Sequence, residues 1–418
     1  MVKPVPVDPV GATSRPTERK LGVARAARQE SLRFHNLGLV LREVLDSPVP
    51  LSRADVAAST GLTRATVSSL VEELLQARLL RELGPVSGQR VGRPAVPLVA
   101  ARGTVAAVGA EINVDYLGVC ALDLAGEVLV QHLVHDDFRH SDPGPVIDRL
   151  AEMAAGVLTT LSDRDVSVAG IALALPGLVD SVTGPLRLAP NLGWHDVDVL
   201  ARLTEHPVLA AFAPRLGNEA NLAANAEQHA RRQRGPRSFV YVSGEVGIGG
   251  AIVLEGAIFG GMRGWSGEIG HVAVGTDGRF DAGDRLEAYA GQDALLAAAG
   301  LPRSAEVEEL SRAGAAGQRA IGRAADAMGL VLSSVMNIVD VHHVVLGGIY
   351  AGLADGLRPG IEAQLRARVI SAPWIEISVE SAIAGQHPAM TGGALWALES
   401  VLADPAEWLG AEEQSLTP

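Results

Sequence analysis

A single cysteine, Cys120, stands in 418 residues. It has no intramolecular disulfide partner, and no cysteine cluster exists to hold a structural zinc, so a reducing cytoplasm is the natural setting. Long apolar runs are missing too. The N-terminus carries no signal-peptide core, and nowhere do about 18 residues pass without charges or helix breakers, which argues against a membrane span. Basic charge is scarce over most of the chain. The formal net charge is −13, yet residues 1–100 hold 14 Lys and Arg against 9 Asp and Glu, whereas the remainder holds 21 against 39. Only the first hundred residues suit a polyanion. The length exceeds one ordinary core, so two or three domains are expected.

Residues 1–30 contain Pro4, Pro6, Pro9 and Pro16, six basic residues and little apolar periodicity, and read as a flexible basic arm. From Ser31 the pattern turns helical, with Leu37, Val40, Leu41, Val44 and Leu45 at helix spacing and a stop at Asp46 to Pro50. Ser52 and Asp55 have the spacing of a capping box, Gly61 closes a short helix, and Thr63 caps a third. In that third helix Val67, Leu70, Val71, Leu74 and Leu75 form the stripe to be buried, which leaves Arg64, Thr66, Ser68 and Ser69 on the outer face near its start. Two short strand-type segments, 79–83 and 95–99, flank a turn carrying Arg90 and Arg93. Residues 31–100 therefore outline a winged helix-turn-helix, with an ordinary three-helix bundle as the plainer alternative. Arg64, Thr66, Ser68 and Ser69 would meet base edges, and Arg90 and Arg93 phosphates or a minor groove.

Beyond residue 103 come short β-type runs, "VAAVGAEI", "YLGVCALDL" and "EVLVQHLV", then a helix around 144–161 and the buried strand "VAGIALAL". A similar order recurs from "FVYVSGE" and "GIGGAIVL" to "VVLGG" and "IEISVE". Two successive blocks of this kind suggest two α/β lobes with a cleft between them, roughly 101–230 and 231–400, the C-terminal segment returning to the first.

The stretches "SRADVAASTGLTRATVSSLVEELLQARLL", "GRP", "ALPGLVDSVTG", "PNLGW", "GNEANLAANAE", "GEVGIGGAIVLEG", "GEIGH", "LEAYAG" and "VVLGG" follow one another in an order that resembles the ROK family of bacterial sugar-responsive repressors and sugar kinases. The resemblance runs from about residue 31 to 400. It implies an α/β chain with an N-terminal winged helix-turn-helix followed by an actin-like (ribonuclease H-like), two-lobed sugar-kinase-type domain over 101–418.

Kinases of this family carry an Asp-x-Gly-Gly-Thr phosphate loop, where this chain has Glu111, Asn113, Val114 and Asp115 at the four defined positions. Without glycine the backbone cannot approach a phosphate, and Asp115 sets negative charge against it. The run "SGEVGIGGA" places Glu245 among its glycines, again the wrong charge for phosphate; a tight hairpin is its plainer use. At the kinases' catalytic Asn-Asp pair stand Asn218 and Glu219, whose longer side chain displaces the carboxylate by roughly an ångström, enough to spoil an in-line base. Glu219 then serves either as a hydroxyl acceptor or as a carboxylate favoured at a helix start.

Asn191 in "PNLGW" offers a donor and an acceptor, though Asn after Pro is also ordinary turn chemistry. Glu268 and His271, three apart, share one helical face or tight turn. By resemblance Asn191, Asn218, Glu219, Glu268, His271 and Glu287 contact sugar hydroxyls. The family's histidine at this position also holds a structural zinc, with three cysteines before the glutamate, and here that interval has none. A substitute set of His271, Asp277, Asp281 and Asp284 is less expected than a solvated turn, so zinc is expected to be lost and no cofactor is expected.

The sequence thus describes a cytoplasmic DNA-binding regulator, a repressor. It binds a sugar or sugar phosphate without phosphoryl transfer, has no catalytic residues, and pairs as a homodimer or homotetramer on operator DNA. The alternatives are an ATP-dependent sugar kinase with a DNA-binding head, and a regulator answering to a protein partner.

Overall fold

The computed structural model describes residues 18–84, 96–274 and 284–409, with residues 18–31 traced as backbone. The first helix, α1 (Glu18–Asp46), begins well inside the segment expected to be a flexible arm. All four prolines of that segment lie at or before Pro16, and the stretch after them is rich in alanine and arginine, good helix formers. Averaging composition over thirty residues hid this boundary.

Strand β1 (Leu51–Ser52) leads into α2 (Arg53–Thr60), where the Ser52 side chain accepts the Asp55 amide and the Asp55 carboxylate accepts the Ser52 amide at 2.9 Å, a reciprocal capping box. Gly61, at φ 73°, ends α2 in the left-handed region. Thr63 caps α3 (Arg64–Gln76) by accepting the Thr66 amide at 3.1 Å. Strands β2 (Leu80–Glu82) and β3 (Pro97–Ala100) complete an antiparallel sheet ordered β1-β3-β2. Leu37, Val40, Leu41, Val56, Val67, Leu70, Val71, Leu74 and Leu98 form the core of this head.

The first lobe is a meander of β4 (Val105–Ile112), β5 (Tyr116–Asp123) and β6 (Val128–His135). After α4 (Pro143–Asp163), strand β7 (Ser167–Leu175) pairs parallel to β4. A small sheet of β8 (Leu178–Val179), β9 (Leu186–Ala189) and β10 (Trp194–Val197) and two short helices, α5 (Val199–Leu203) and α6 (Pro207–Ala210), follow. Strand β11 (Arg215–Asn218) then adds parallel to β7, giving the order β11-β7-β4-β5-β6, and runs straight into α7 (Glu219–Arg231).

The second lobe repeats the plan. Strands β12 (Phe239–Gly244), β13 (Ile248–Leu254) and β14 (Ala257–Ile258) form the meander. Helices α8 (Glu287–Ala290), α9 (Gln292–Ala298), α10 (Glu309–Arg312) and α11 (Gly314–Val339) precede β15 (His343–Gly348), α12 (Ile349–Arg368) and β16 (Ser378–Ser381). The order β14-β13-β12-β15-β16 has the same meander followed by two parallel strands.

Helix α13 (Pro388–Ala403) returns to the first lobe. Strand β4 is buried at every position because α4 covers one face of its sheet and α13 the other, which is why it reads as an unbroken apolar run. Helix α7 lies at the junction of the lobes: Leu222 and Ala223 share a cluster with Tyr241, Ala251 and Val253 of the second sheet. Among the described residues no helix is long and apolar enough to cross a membrane.

Candidate functional site

Strand ends and helix starts of both lobes converge on one cleft lined by Asn191, Asn218, Glu219, Glu268, His271 and Glu287, all six residues expected to contact a sugar. Each arrives by a different route. Asn191 sits in the turn between β9 and β10. Asn218 ends β11 and caps α7: its Oδ1 accepts the Asn221 amide at 3.1 Å and its Nδ2 donates to the Gly177 carbonyl at 2.9 Å. With one donor and one acceptor already engaged, Asn218 mainly fixes the start of α7. Glu219 is the first residue of that helix, and its Oε2 is buried without a hydrogen-bond partner.

Glu268 and His271 bracket a single 3₁₀ turn, Ile269–His271, as their spacing suggested. His271 is exposed, and its Nδ1 lies 3.0 Å from the Arg285 guanidinium. Glu287 opens α8, and its Oε2 accepts the Ile248 amide at 3.2 Å across the turn between β12 and β13. Gly247 in that turn leaves room for both side chains: a Cβ there would stand 2.9 Å from the Glu287 carboxylate and 3.1 Å from Asn191 Nδ2 and would push their ends aside. Trp194, near Asn191 in sequence, instead enters the first lobe's core, and its indole N–H donates to the Ser141 carbonyl at 2.9 Å.

Beside this cleft lies a cavity lined by Glu111, Glu219 and Glu245 with Tyr116, Tyr241 and Ser243. Asn113 Nδ2 donates to Glu245 Oε2 at 2.6 Å, a hydrogen bond between the two lobes, and lies 3.5 Å from Glu111 Oε1. Glu111 Oε2 in turn accepts the Met390 amide at 3.1 Å at the start of α13. Burial pushes the Glu111 carboxyl up to about 7, against hydrogen bonds from Tyr116 and Asn113. Burial and then the neighbouring Glu111 raise Glu245 to about 8, and burial followed by Glu245 and Glu111 holds Glu219 well above the usual carboxylate range. Burial also raises Glu268, with His271 opposing and Glu287 reinforcing the shift. Sequence reasoning found the wrong charges at positions 115 and 245, but not that Asn113 joins Glu111 and Glu245 across the cleft.

The raised carboxyls make stability depend on pH. In the unfolded chain Glu111 and Glu245 ionise near 4.5, in the folded protein only near 7 and 8. Between those limits the folded state keeps protons the unfolded state has lost, so stability contributed here falls as pH rises from about 4.5 to 8. Glu245→Gln should therefore stabilise the protein at pH 8.5, by about 1 kcal/mol or more since each tenfold in proton affinity is worth about 1.4 kcal/mol, and leave it nearly unchanged at pH 5. Denaturant unfolding at both pH values checks this, and equal effects at the two would contradict it.

In the head, Arg64, Ser68 and Ser69 are exposed on α3, and Thr66 is half-buried with its hydroxyl 2.8 Å from the Thr63 hydroxyl. Thr66 thus completes the cap and presents less to an outside partner than its neighbours. Arg53 ties the same helix to the sheet, pairing with Glu72 of α3 at 3.0 Å and with Glu82 of β2. Arg90, Arg93, Asp277 and Asp281 lie outside the described residues.

The sequence model of the ROK family matches residues 107–400. The xylose repressor of Bacillus subtilis (strain 168) is 31% identical over 277 residues, which is 65% of this chain and 69% of that protein. The DNA-binding transcriptional repressor Mlc of Escherichia coli (strain K12) is 24% identical over 387 residues, 88% of this chain and 93% of its own. Among solved structures, a ROK family transcriptional regulator described as a homologue of E. coli Mlc superposes with a TM-score of 0.73 at 23% identity, covering 90% of this chain and 99% of its own.

Proposed function

Because the chain belongs to the ROK family, we propose that it is a DNA-binding transcriptional repressor whose kinase-like cleft binds a neutral sugar without transferring a phosphoryl group. One observation carries the reading. The cleft is lined by four glutamates, three asparagines and His271, and among its described lining residues there is no Lys or Arg. Carboxylates and amides suit hydroxyls, which donate and accept, whereas a phosphate needs N–H donors and positive charge. Of the two effectors the sequence left open, the free sugar fits this lining and the sugar phosphate does not.

The same electrostatics oppose ATP. Phosphoryl transfer depends on groups that stabilise the charge of the transferring phosphate. At the corresponding hairpins this chain sets Asp115 and Glu245, and Asn113, in place of a glycine, bonds Glu245 across the lobes, so a nucleotide would have to break an interlobe hydrogen bond and face two carboxyls. Relatives named as repressors agree with the non-enzymatic reading. A coupled assay with ATP and a panel of sugars tests it: no turnover is expected, and clear turnover abolished by Glu219→Ala would overturn it.

The donor set at His271 does not suit the family's structural zinc. Its Nδ1 faces the Arg285 cation, and the single thiol, Cys120, is buried in the first lobe. Metal analysis of the purified protein should find no stoichiometric zinc.

On DNA, α3 is read as the major-groove helix, with Arg64, Ser68 and Ser69 reaching bases and a symmetric dimer engaging two half-sites. Arg64→Ala should weaken binding to an operator selected from random-sequence DNA by about 10- to 100-fold, the value of one good base contact, while non-specific binding changes little. Fluorescence anisotropy at fixed salt measures both. An equal loss on specific and random DNA would reassign Arg64 to the phosphate backbone.

A further inference from the structure

Helix α7 has its two ends in different parts of the molecule. Its first residue, Glu219, lines the cleft, and its C-cap residue, Arg232, touches the DNA-binding head. Arg232 Nη2 donates to the Leu45 carbonyl at 3.1 Å, and its Nη1 lies 3.6 Å from the Asp46 carboxylate. Leu45 and Asp46 are the last residues of α1, where helix carbonyls lack intrahelical partners and a guanidinium is a fitting acceptor's complement. Thirteen residues of helix, about 20 Å, join the two places rigidly.

Along that length α7 has little freedom to bend or slide independently. A Cβ on Gly392 of α13 would stand 1.7 Å from the Leu222 carbonyl oxygen, and one on Gly249 of the second lobe 2.9 Å from the Ala220 Cβ. The second contact matters most: the first turn of α7 rests directly on β13, so a movement of the second lobe about the cleft reaches α7 at its N-terminal end. Among the described residues the head is also held elsewhere, and Leu402, Ala406 and Trp408 at the C-terminal end pack against its core. Arg78 pairs with Asp165 at 2.6 Å while Thr104 donates to the Arg78 carbonyl at 2.7 Å, and Val401 at the end of α13 is buried in the head's core. None of these residues lines the sugar cleft.

Building on the repressor reading above, we propose that Arg232 is the positioning residue that couples the cleft to the DNA-binding head, by tying the end of α7 to the end of α1. Closing of the lobes on a sugar shifts α7, Arg232 carries the shift to Leu45 and Asp46, and α1 turns the α2–α3 unit packed on it. Binding energy at the cleft is thereby spent on the spacing of two recognition helices rather than on chemistry, and the coupling has a material link whose two states a ligand can bias.

The test uses Arg232→Gln in the full chain, with Arg78→Gln, which removes the Arg78–Asp165 pair between the head and the first lobe, as the comparison. In Arg232→Gln the amides of residues 44–50 should exchange with deuterium at least about fivefold faster, sugar affinity by calorimetry should stay within about twofold of the parent, and the factor by which sugar changes operator affinity should shrink at least about fivefold, the lower end of ordinary coupling. Arg78→Gln should loosen the head and keep that factor. Faster exchange in Arg232→Gln with parental coupling would show a mere structural clip and overturn the proposal, as would unchanged exchange or equal loss of coupling in both variants. Failure of the repressor reading is visible separately, in a parent protein whose operator affinity ignores every sugar in the panel; the proposal then falls with it.

Discussion

Gly392→Val is expected to leave little or no folded protein. Residue 392 is on α13 where that helix crosses α7, and an added Cβ would lie 1.7 Å from the Leu222 carbonyl oxygen, 2.6 Å from its carbon and 3.2 Å from the Ala226 nitrogen. These are backbone atoms of a helix, which no rotamer change can withdraw. On its opposite side α13 is equally confined, because a Cβ on Gly109 of β4 would meet the Met390 carbonyl oxygen at 1.9 Å. The helix is pressed between a strand and a second helix with no slack on either side, so overpacking must separate layers of the first lobe. Even Gly392→Ala should cost about 3 kcal/mol or more, and valine more still. Gly156→Ala provides the contrast. It lies on an exposed face of α4 with nothing within 4 Å of a Cβ, and should stabilise by about 0.5–1 kcal/mol through the lower entropy of the unfolded chain. Soluble yield and denaturant midpoints of the three variants decide the matter; a well-folded Gly392→Val protein would mean that α7 and α13 do not meet this way.

Why this contact is invisible in the sequence, while the head is not, follows from range. Ser52, Asp55, Gly61 and Thr63 act on backbone groups two or three residues away, so their chemistry can be read from spacing alone, and the caps form as expected. Leu222 and Gly392 are 170 positions apart, and a glycine in a helix otherwise signals only a cost. The same limit applies to the cleft. Glu268 and His271 are near neighbours and share a turn, but the Asn113–Glu245 hydrogen bond spans 132 positions. Negative charge at 115 and 245 was legible as a defect in phosphate binding; the second role of Glu245, an interlobe link whose protonation tracks pH, needed the fold. The helix from Glu18 was missed for the opposite reason, an average taken across a proline boundary.

Glu287→Ala should weaken sugar binding by about 100-fold or more while sparing operator binding in the absence of sugar. Glu287 stands on the second lobe facing Asn191 of the first across Gly247, so a ligand held between them draws the lobes together. Hydrogen bonds to a charged acceptor contribute about 1.5–3 kcal/mol each, and a carboxylate can serve two adjacent sugar hydroxyls. Calorimetry with the sugar that binds the parent measures the loss directly. The stabilisation of about 2.7 kcal/mol that the parent gains at 100 times its dissociation constant should vanish from the variant's unfolding curve at the same concentration. Stability of the ligand-free variant is the discriminating measurement. The Ile248 amide loses its acceptor, which destabilises, but Glu268 loses a neighbouring negative charge that raises its carboxyl, which stabilises. These oppose each other, so the ligand-free protein should stay within about 1 kcal/mol of the parent, as at functional sites kept at some expense of stability. Glu287→Gln, which preserves the shape and one acceptor, should fall between parent and alanine variant in affinity. If instead the alanine variant unfolds easily and still binds sugar with parental affinity, Glu287 is a support for the turn between β12 and β13, and the ligand is held by the first lobe alone.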